Sequence, residues 1–123
     1  MAELVLIVDD DARNAKLAGD VLELAGMRTL LAATAAEALA LAREHLPDVI
    51  LMDLRLPDRD GSEVARLLAA DERTAAIPVI ALSALPIDDA SAWFRDAGFV
   101  AYVEKPIDVR ELPGQVRRYC TSD

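Results

Sequence analysis

The sequence predicts an α/β fold: a five-stranded parallel sheet with five helices distributed over both faces. Three observations carry that expectation. Short, nearly continuous apolar runs recur five times, as strands buried on both sides require. Between them lie longer segments with apolar residues at helical spacing. Glycines and prolines (Gly26, Pro47, Pro78, Gly98) fall at the junctions.

Leu4–Val8 is the first apolar run, and Asp11–Ala25 follows with Ala18, Val21, Leu22 and Ala25 on one helical face before Gly26. Thr29–Ala33 reads as the second strand. Thr34 and Glu37 form a T-x-x-E capping box that opens a helix burying Leu39, Ala42 and Leu46. Pro47 separates this helix from Val49–Met52, a third, fully apolar strand. The loop Leu56–Gly61 leads to a helix carrying Val64, Leu67 and Leu68, and a short irregular stretch surrounds Arg73. Pro78 introduces the strand Val79–Leu82. Ile87–Ala97 is predicted helical up to Gly98, and Val100–Val103 is the fifth strand. Asp108 caps a last segment with Val109, Leu112, Val116 and Tyr119 at helical spacing. Parallel strands joined by crossover helices place a site beyond the carboxyl ends of the strands.

Composition narrows the function classes. The 123 residues suit one domain with one core, and 54% apolar content supplies ample burial. A net charge of −9 argues against a nucleic-acid partner, whose phosphates demand a basic face. No apolar run approaches the roughly 20 residues of a membrane span, and the N-terminus lacks the pattern of a secretory signal. One cysteine, Cys120, provides no disulfide framework, so a cytoplasmic location is expected.

The strand ends hold the chemistry. The first strand runs into Asp9-Asp10-Asp11, the third into Asp53, the fourth into Ser83 and the fifth into Lys105-Pro106. Clustered carboxylates repel one another, and a hard divalent cation relieves that cost. A carboxylate can attack phosphorus to form an acyl phosphate, with a metal and a lysine offsetting charge and a hydroxyl donating a hydrogen bond. Phosphoryl transfer to an aspartate uses all these parts. Asp11 is open between site residue and simple helix cap.

Four motifs resemble the CheY-like response-regulator receiver family in order and spacing: LIVDDD (Leu6–Asp11), LMDLRLPDRDG (Leu51–Gly61), ALSA (Ala81–Ala84) and YVEKP (Tyr102–Pro106). The NAKL stretch, Asn14–Leu17, further resembles DivK-like single-domain regulators and the receivers of hybrid kinases. The resemblance covers essentially the whole chain. It implies a flavodoxin-like doubly wound fold with strand order 2-1-3-4-5. It also implies Asp53 as phosphoacceptor and Asp9 and Asp10 as the acidic pair, with Asp10 the direct ligand. Arg55 would add its backbone carbonyl to the Mg²⁺ (or Mn²⁺) site. Ser83 matches the switch hydroxyl, Lys105 the phosphate-contacting lysine and Tyr102 the aromatic switch. Pro57 and Gly61 shape the loop after the acceptor, with Gly61 suited to a backbone conformation other residues resist. Phosphorylation would then re-present a face built from the fourth helix, fifth strand and last helix, with Trp93, Tyr102 and Val109 as output-face candidates.

Several positions depart from the family pattern. Arg55 and Leu85, each two residues past a site residue, are candidates to shield an acyl phosphate from water. Pro113-Gly114 falls where the last helix should run uninterrupted, so that helix is expected to start late or kink. On the fourth helix Ala90, Phe94 and Ala97 share an inner face, leaving Trp93 with Asp89 and Asp96 outside as a docking anchor. His45 reads as solvated and Cys120 as a small apolar packer.

Two rival readings have discriminating features. A haloacid-dehalogenase-like phosphatase would need its nucleophile on the first strand and a cap for which there is no length. A pseudo-receiver adaptor, acting without phosphorylation, would normally lack the acceptor, a metal carboxylate or the lysine. The expectation is therefore a signalling domain rather than a classical enzyme, catalysing only its own phosphoryl transfer and slow autodephosphorylation. The expected arrangement is a single receiver domain over residues 1–123 with no output domain, and the initial methionine favours a stand-alone regulator. Its expected partners are a sensor histidine kinase or histidine phosphotransfer protein and a downstream protein target, with the chain a monomer or phosphorylation-linked homodimer.

Overall fold

A computed structural model describes residues 2–84, 86–88 and 91–120. Strands β1 (Leu4–Val8), β2 (Arg28–Ala32), β3 (Val49–Asp53), β4 (Val79–Ser83) and β5 (Phe99–Glu104) alternate with helices α1 (Ala12–Leu24), α2 (Ala35–His45), α3 (Gly61–Ala70), α4 (Ala92–Asp96) and α5 (Leu112–Arg117). The strands form one sheet in the order β2-β1-β3-β4-β5, and every pairing is parallel. This is the flavodoxin-like order.

Strand alternation divides the core in two. Leu6, Ile50, Met52, Val79 and Ala81 pack with Ala38, Val64, Leu68 and Phe94 beneath α2, α3 and α4. Val5, Ile7, Leu51, Ile80 and Leu82 pack with Ala18, Leu22, Leu112 and Val116 beneath α1 and α5. Because side chains alternate with period two, the continuous apolar runs of β1, β3 and β4 serve both cores at once. Burying each Leu or Ile fully contributes about 1.5–3 kcal/mol. A one-residue register slip would therefore exchange the two cores wholesale.

Helix ends follow their local chemistry. Asp11 caps α1, accepting from the Arg13 and Asn14 N–H groups at 2.9 and 3.3 Å. Thr34 Oγ1 accepts from Glu37 N–H at 3.1 Å, and Glu37 Oε1 returns the bond to Ala33 N–H at 3.2 Å. Gly26 and Gly98, at φ 92° and 95°, stop α1 and α4 in the left-handed region that glycine tolerates.

The elements differ from expectation in five places. Strand edges move by one residue: β2 spans Arg28–Ala32, β5 spans Phe99–Glu104, and Asp53 and Ser83 are the last residues of their strands. Helix α4 spans Ala92–Asp96 rather than starting at Ile87. Ser91 N–H and Oγ both donate to the Asp88 carbonyl oxygen, at 3.1 and 2.6 Å, just ahead of the helix. Leu46 is not a core residue. It is 52% exposed and ends α2 at φ 47°, since Pro47 disfavours a right-handed residue before it. Leu67 lies at the rim of α3, while Val64 and Leu68 are buried. Asp108 Oδ1 accepts from Arg110 and Glu111 N–H, so it caps a turn that carries an exposed Val109, not the helix itself. Helix α5 then starts at Leu112 with Pro113 in its first turn, where proline is tolerated. The late start expected from Pro113-Gly114 is observed. The readings placed on Leu85, Asp89 and Ala90 lie outside the described residues.

Candidate functional site

The alternation that splits the core also sorts the strand-end residues. Asp9 continues the phase of Val5 and Ile7, Asp53 that of Val49 and Leu51, and Lys105 that of Ala101 and Val103, all on the α1/α5 side. Ser83 continues the phase of Val79 and Ala81, and Tyr102 shares that opposite side. Register aligns the strand ends: Val8 with Met52, Asp53 with Leu82 and Ser83 with Glu104. A parallel sheet with these two periods has no other place to put two carboxylates and a lysine than one shared cleft.

The cleft has a volume of about 740 Å³ and contains Asp9, Asp10, Asp53, Arg55, Ser83 and Lys105. Lys105 Nζ lies 2.9 Å from Asp53 Oδ2 and 3.2 Å from Asp9 Oδ2. The first contact is a directed hydrogen bond. The second is an electrostatic approach without hydrogen-bond alignment, and Asp9 Oδ2 is buried with no hydrogen-bond partner. Asp9 Oδ1 accepts from Asp11 N–H at 2.9 Å, and Asp53 Oδ1 accepts from Arg55 N–H at 3.1 Å. The Lys105 N–H donates to the Ser83 carbonyl oxygen at 2.8 Å, tying the ends of β4 and β5. The Lys105-Pro106 peptide is cis.

Electrostatics follow from burial and charge. Burial raises the Asp9 carboxyl above its ordinary range; the Asp11 N–H and Lys105 oppose this and Asp53 adds to it. Burial disfavours the Lys105 ammonium, but Asp53 and Asp9 outweigh it and hold its pKa above the ordinary lysine value. Asp9, Asp10 and Asp53 each offer a carboxylate oxygen, and these oxygens lie within 4.8 Å of one another. An oxygen-only donor set this tight, with one buried oxygen lacking a hydrogen bond, fits a hard divalent cation.

The structure brings together Asp9, Asp10, Asp53, Arg55, Ser83 and Lys105. Tyr102 stands outside this group, half-buried, with its ring edge-on to Phe94 at a centroid distance of 6.3 Å. Val109 is exposed on the turn before α5. Trp93, expected on the outer side of α4, is exposed and lines the same cleft as Asp53. Asp11 is spent on capping α1. Gly61 is needed for a different reason than expected. Its φ is not positive; instead a Cβ there would overlap the Asp53 carbonyl oxygen and come within 2.9 Å of Leu54 Cα. The Gly61 N–H donates to the Leu54 carbonyl oxygen at 2.9 Å, drawing the loop against the end of β3.

One supporting residue went unread in the sequence. Asp58, in the loop after β3, accepts from the first two N–H groups of α2, Ala35 at 2.8 Å and Ala36 at 3.2 Å. These bonds hold its carboxyl below the ordinary range, the Ala35 N–H foremost. The α2 cap box and the extra Asp58 carboxylate compete for no donor, so nothing at residues 34–37 signals a partner 22 or 23 positions away.

Comparison with known proteins agrees with this geometry. Residues 5–117 match the family model described as the response regulator receiver domain. The polar-differentiation response regulator DivK of Brucella ovis is 41% identical over 119 residues, covering 97% of each protein. A putative response regulator from Chloroflexus aurantiacus superposes with a TM-score of 0.89 at 31% identity, covering 97% of this chain and 98% of that one. The receiver domain of the sensor histidine kinase PA1611 from Pseudomonas aeruginosa, solved with magnesium coordinated in its active-site cleft, superposes at 0.85 with 30% identity over 99% of this chain and all of that one. Among the described residues no helix is long and apolar enough to cross a membrane. A parallel 2-1-3-4-5 sheet, an acidic cluster at its carboxyl edge and these likenesses over nearly the full length have one account: the chain belongs to the response-regulator receiver family of two-component signalling.

Proposed function

We propose that the domain accepts a phosphoryl group on Asp53 from a histidine kinase or phosphotransfer protein, and that the acyl phosphate changes a protein-binding surface. The observation that carries this reading is the position of Lys105 Nζ against both Asp53 and Asp9, beside a buried Asp9 oxygen left without a hydrogen bond. Asp9, Asp10 and Asp53, with the Arg55 backbone carbonyl, would hold Mg²⁺ (or Mn²⁺). When bound, the ion neutralises charge on the transferring group.

The chain's own residues do the rest. Asp53 forms the new P–O bond as the donor's bond to phosphorus breaks and its electron pair leaves with the donor. The Arg55 N–H, already on Asp53 Oδ1, keeps the carboxylate from turning away, and Gly61 lets the loop pack closely against the Asp53 backbone carbonyl. Lys105 passes from the free carboxylate to the phosphoryl oxygens, a charge-assisted contact on either side of the step. Ser83, nearly buried at the end of β4, donates its hydroxyl to the phosphoryl group. Ser83 and Tyr102 share one side of the sheet, so a pull on Ser83 reaches Tyr102 along β4 and β5. In this reading the 123 residues are one receiver domain, and its output is a protein contact.

Incubation with Mg²⁺ and acetyl phosphate, followed by intact mass, tests the reading. One added phosphoryl group is expected on the wild type, and none on Asp53→Asn or without Mg²⁺. No adduct with donor in excess and hydrolysis ruled out would instead mark an adaptor that works without phosphorylation.

A further inference from the structure

The cleft, about 740 Å³ and open to solvent, is lined by the carboxylates and Lys105 and also by the apolar side chains of Pro86, Ile87 and Trp93. Phe94, 2% exposed, anchors α4 in the core, while the adjoining Trp93 is 44% exposed. The two rings meet edge-on at 5.9 Å, so the anchored Phe94 fixes where the indole stands. The exposed indole thus lines the same cleft as Asp53.

The geometry points to Trp93 as the residue that recognises the donor's leaving group, taking the imidazole of an N-phosphorylated histidine against its indole. This rests on Asp53 being the acceptor. Phosphodonors differ in what departs: acetyl phosphate releases a carboxylate, phosphoramidate ammonia, phosphohistidine an imidazole. An indole face offers a carboxylate nothing, whereas it stacks on a flat ring and attracts a cationic one. The N-phosphorylimidazole protonated on its distal nitrogen is such a ring. As the Asp53 oxygen bonds to phosphorus, the P–N bond breaks, its electron pair stays on nitrogen, and neutral imidazole leaves with the proton it already carried. Atoms, charge and electrons balance without another reactant.

The test measures the second-order rate constant for phosphorylation of the full chain with Mg²⁺, using N-phosphorylimidazole and acetyl phosphate as donors. Trp93→Ala is expected to slow the imidazole donor about fivefold, in keeping with one ring contact, and to leave acetyl phosphate unchanged. Trp93→Phe should keep most of the imidazole rate, and Trp93→Leu, apolar but not aromatic, should lose it. Equal loss with both donors, or no loss with N-phosphorylimidazole, overturns the proposal. So does unchanged donor preference with faster loss of the phosphoryl group, which would make Trp93 a water shield. A wild type that accepts from neither donor would refute the acceptor reading itself, a result distinct from all of these.

Discussion

At the scale of single residues, the site depends as much on one absent side chain as on the charged ones. Gly61 begins α3 against the backbone of Asp53, and its missing Cβ is what lets the loop close on Asp53 and Leu54. The obstacle to a side chain is backbone, which cannot turn aside as a flexible neighbour would. Gly61→Ala is therefore expected to lower unfolding free energy by about 1–3 kcal/mol, the usual cost of overpacking, read from the urea midpoint. On the proposed reading it should also slow phosphorylation by acetyl phosphate, because the displaced atoms belong to Asp53. An unchanged midpoint with an unchanged rate would show that the loop simply relaxes. Cys120 is a contrasting case. Burial pushes its thiol up to about 11, so it stays protonated at neutral pH and packs beside α5 as an inert side chain.

Elements are joined here by few but specific polar contacts, and these were the least legible feature of the sequence. The strands could be read because each is apolar throughout, and both-face burial leaves little else for LVLIV or VILMD to form. The site could be read because parallel topology sends every strand's carboxyl end to one edge. Helix α4 was read too long because Ile87 is apolar and buried like a helix residue, yet it lies outside the helix, which begins at Ala92. Asp58 was missed because its partners are N–H groups of α2, and backbone donors leave no mark in a sequence. Its link has a pH signature. A carboxyl held below its ordinary value adds stability that is complete above the unfolded pKa, about 4, and is lost as pH falls through the folded one. Asp58→Asn should lower the thermal midpoint at pH 7 and make the variant less sensitive to acid than the wild type below pH 4. Parallel pH profiles for the two proteins would show that the Asp58 bonds do not contribute to stability.

For the molecule as a whole, two cores share one sheet, and among the described residues the carboxylate cluster gathers at the cleft where their ends meet. The chain carries nine net negative charges; Asp9, Asp10 and Asp53 lie close together, and Lys105 is the immediate counter-charge of Asp9 and Asp53. Lys105 therefore has opposed effects: it stabilises the metal-free fold and repels a cation seated among the same oxygens. Lys105→Met keeps the apolar stem but removes that charge. Without Mg²⁺ the variant should melt below the wild type, because two close carboxylates lose their partner. Binding to the folded state alone stabilises by RT ln(1 + [L]/Kd), about 1.4 kcal/mol at ten times Kd. With the repulsion gone, Kd should fall, so a given Mg²⁺ concentration should raise the midpoint more in Lys105→Met than in wild type. On the proposed reading, acetyl phosphate should nevertheless leave the variant far less phosphorylated, since Lys105 would no longer meet the incoming phosphoryl oxygens. A Mg²⁺-induced shift no larger than that of wild type would mean that Lys105 and the metal do not compete for these carboxylates, and that the cluster holds its ion away from Asp9 and Asp53.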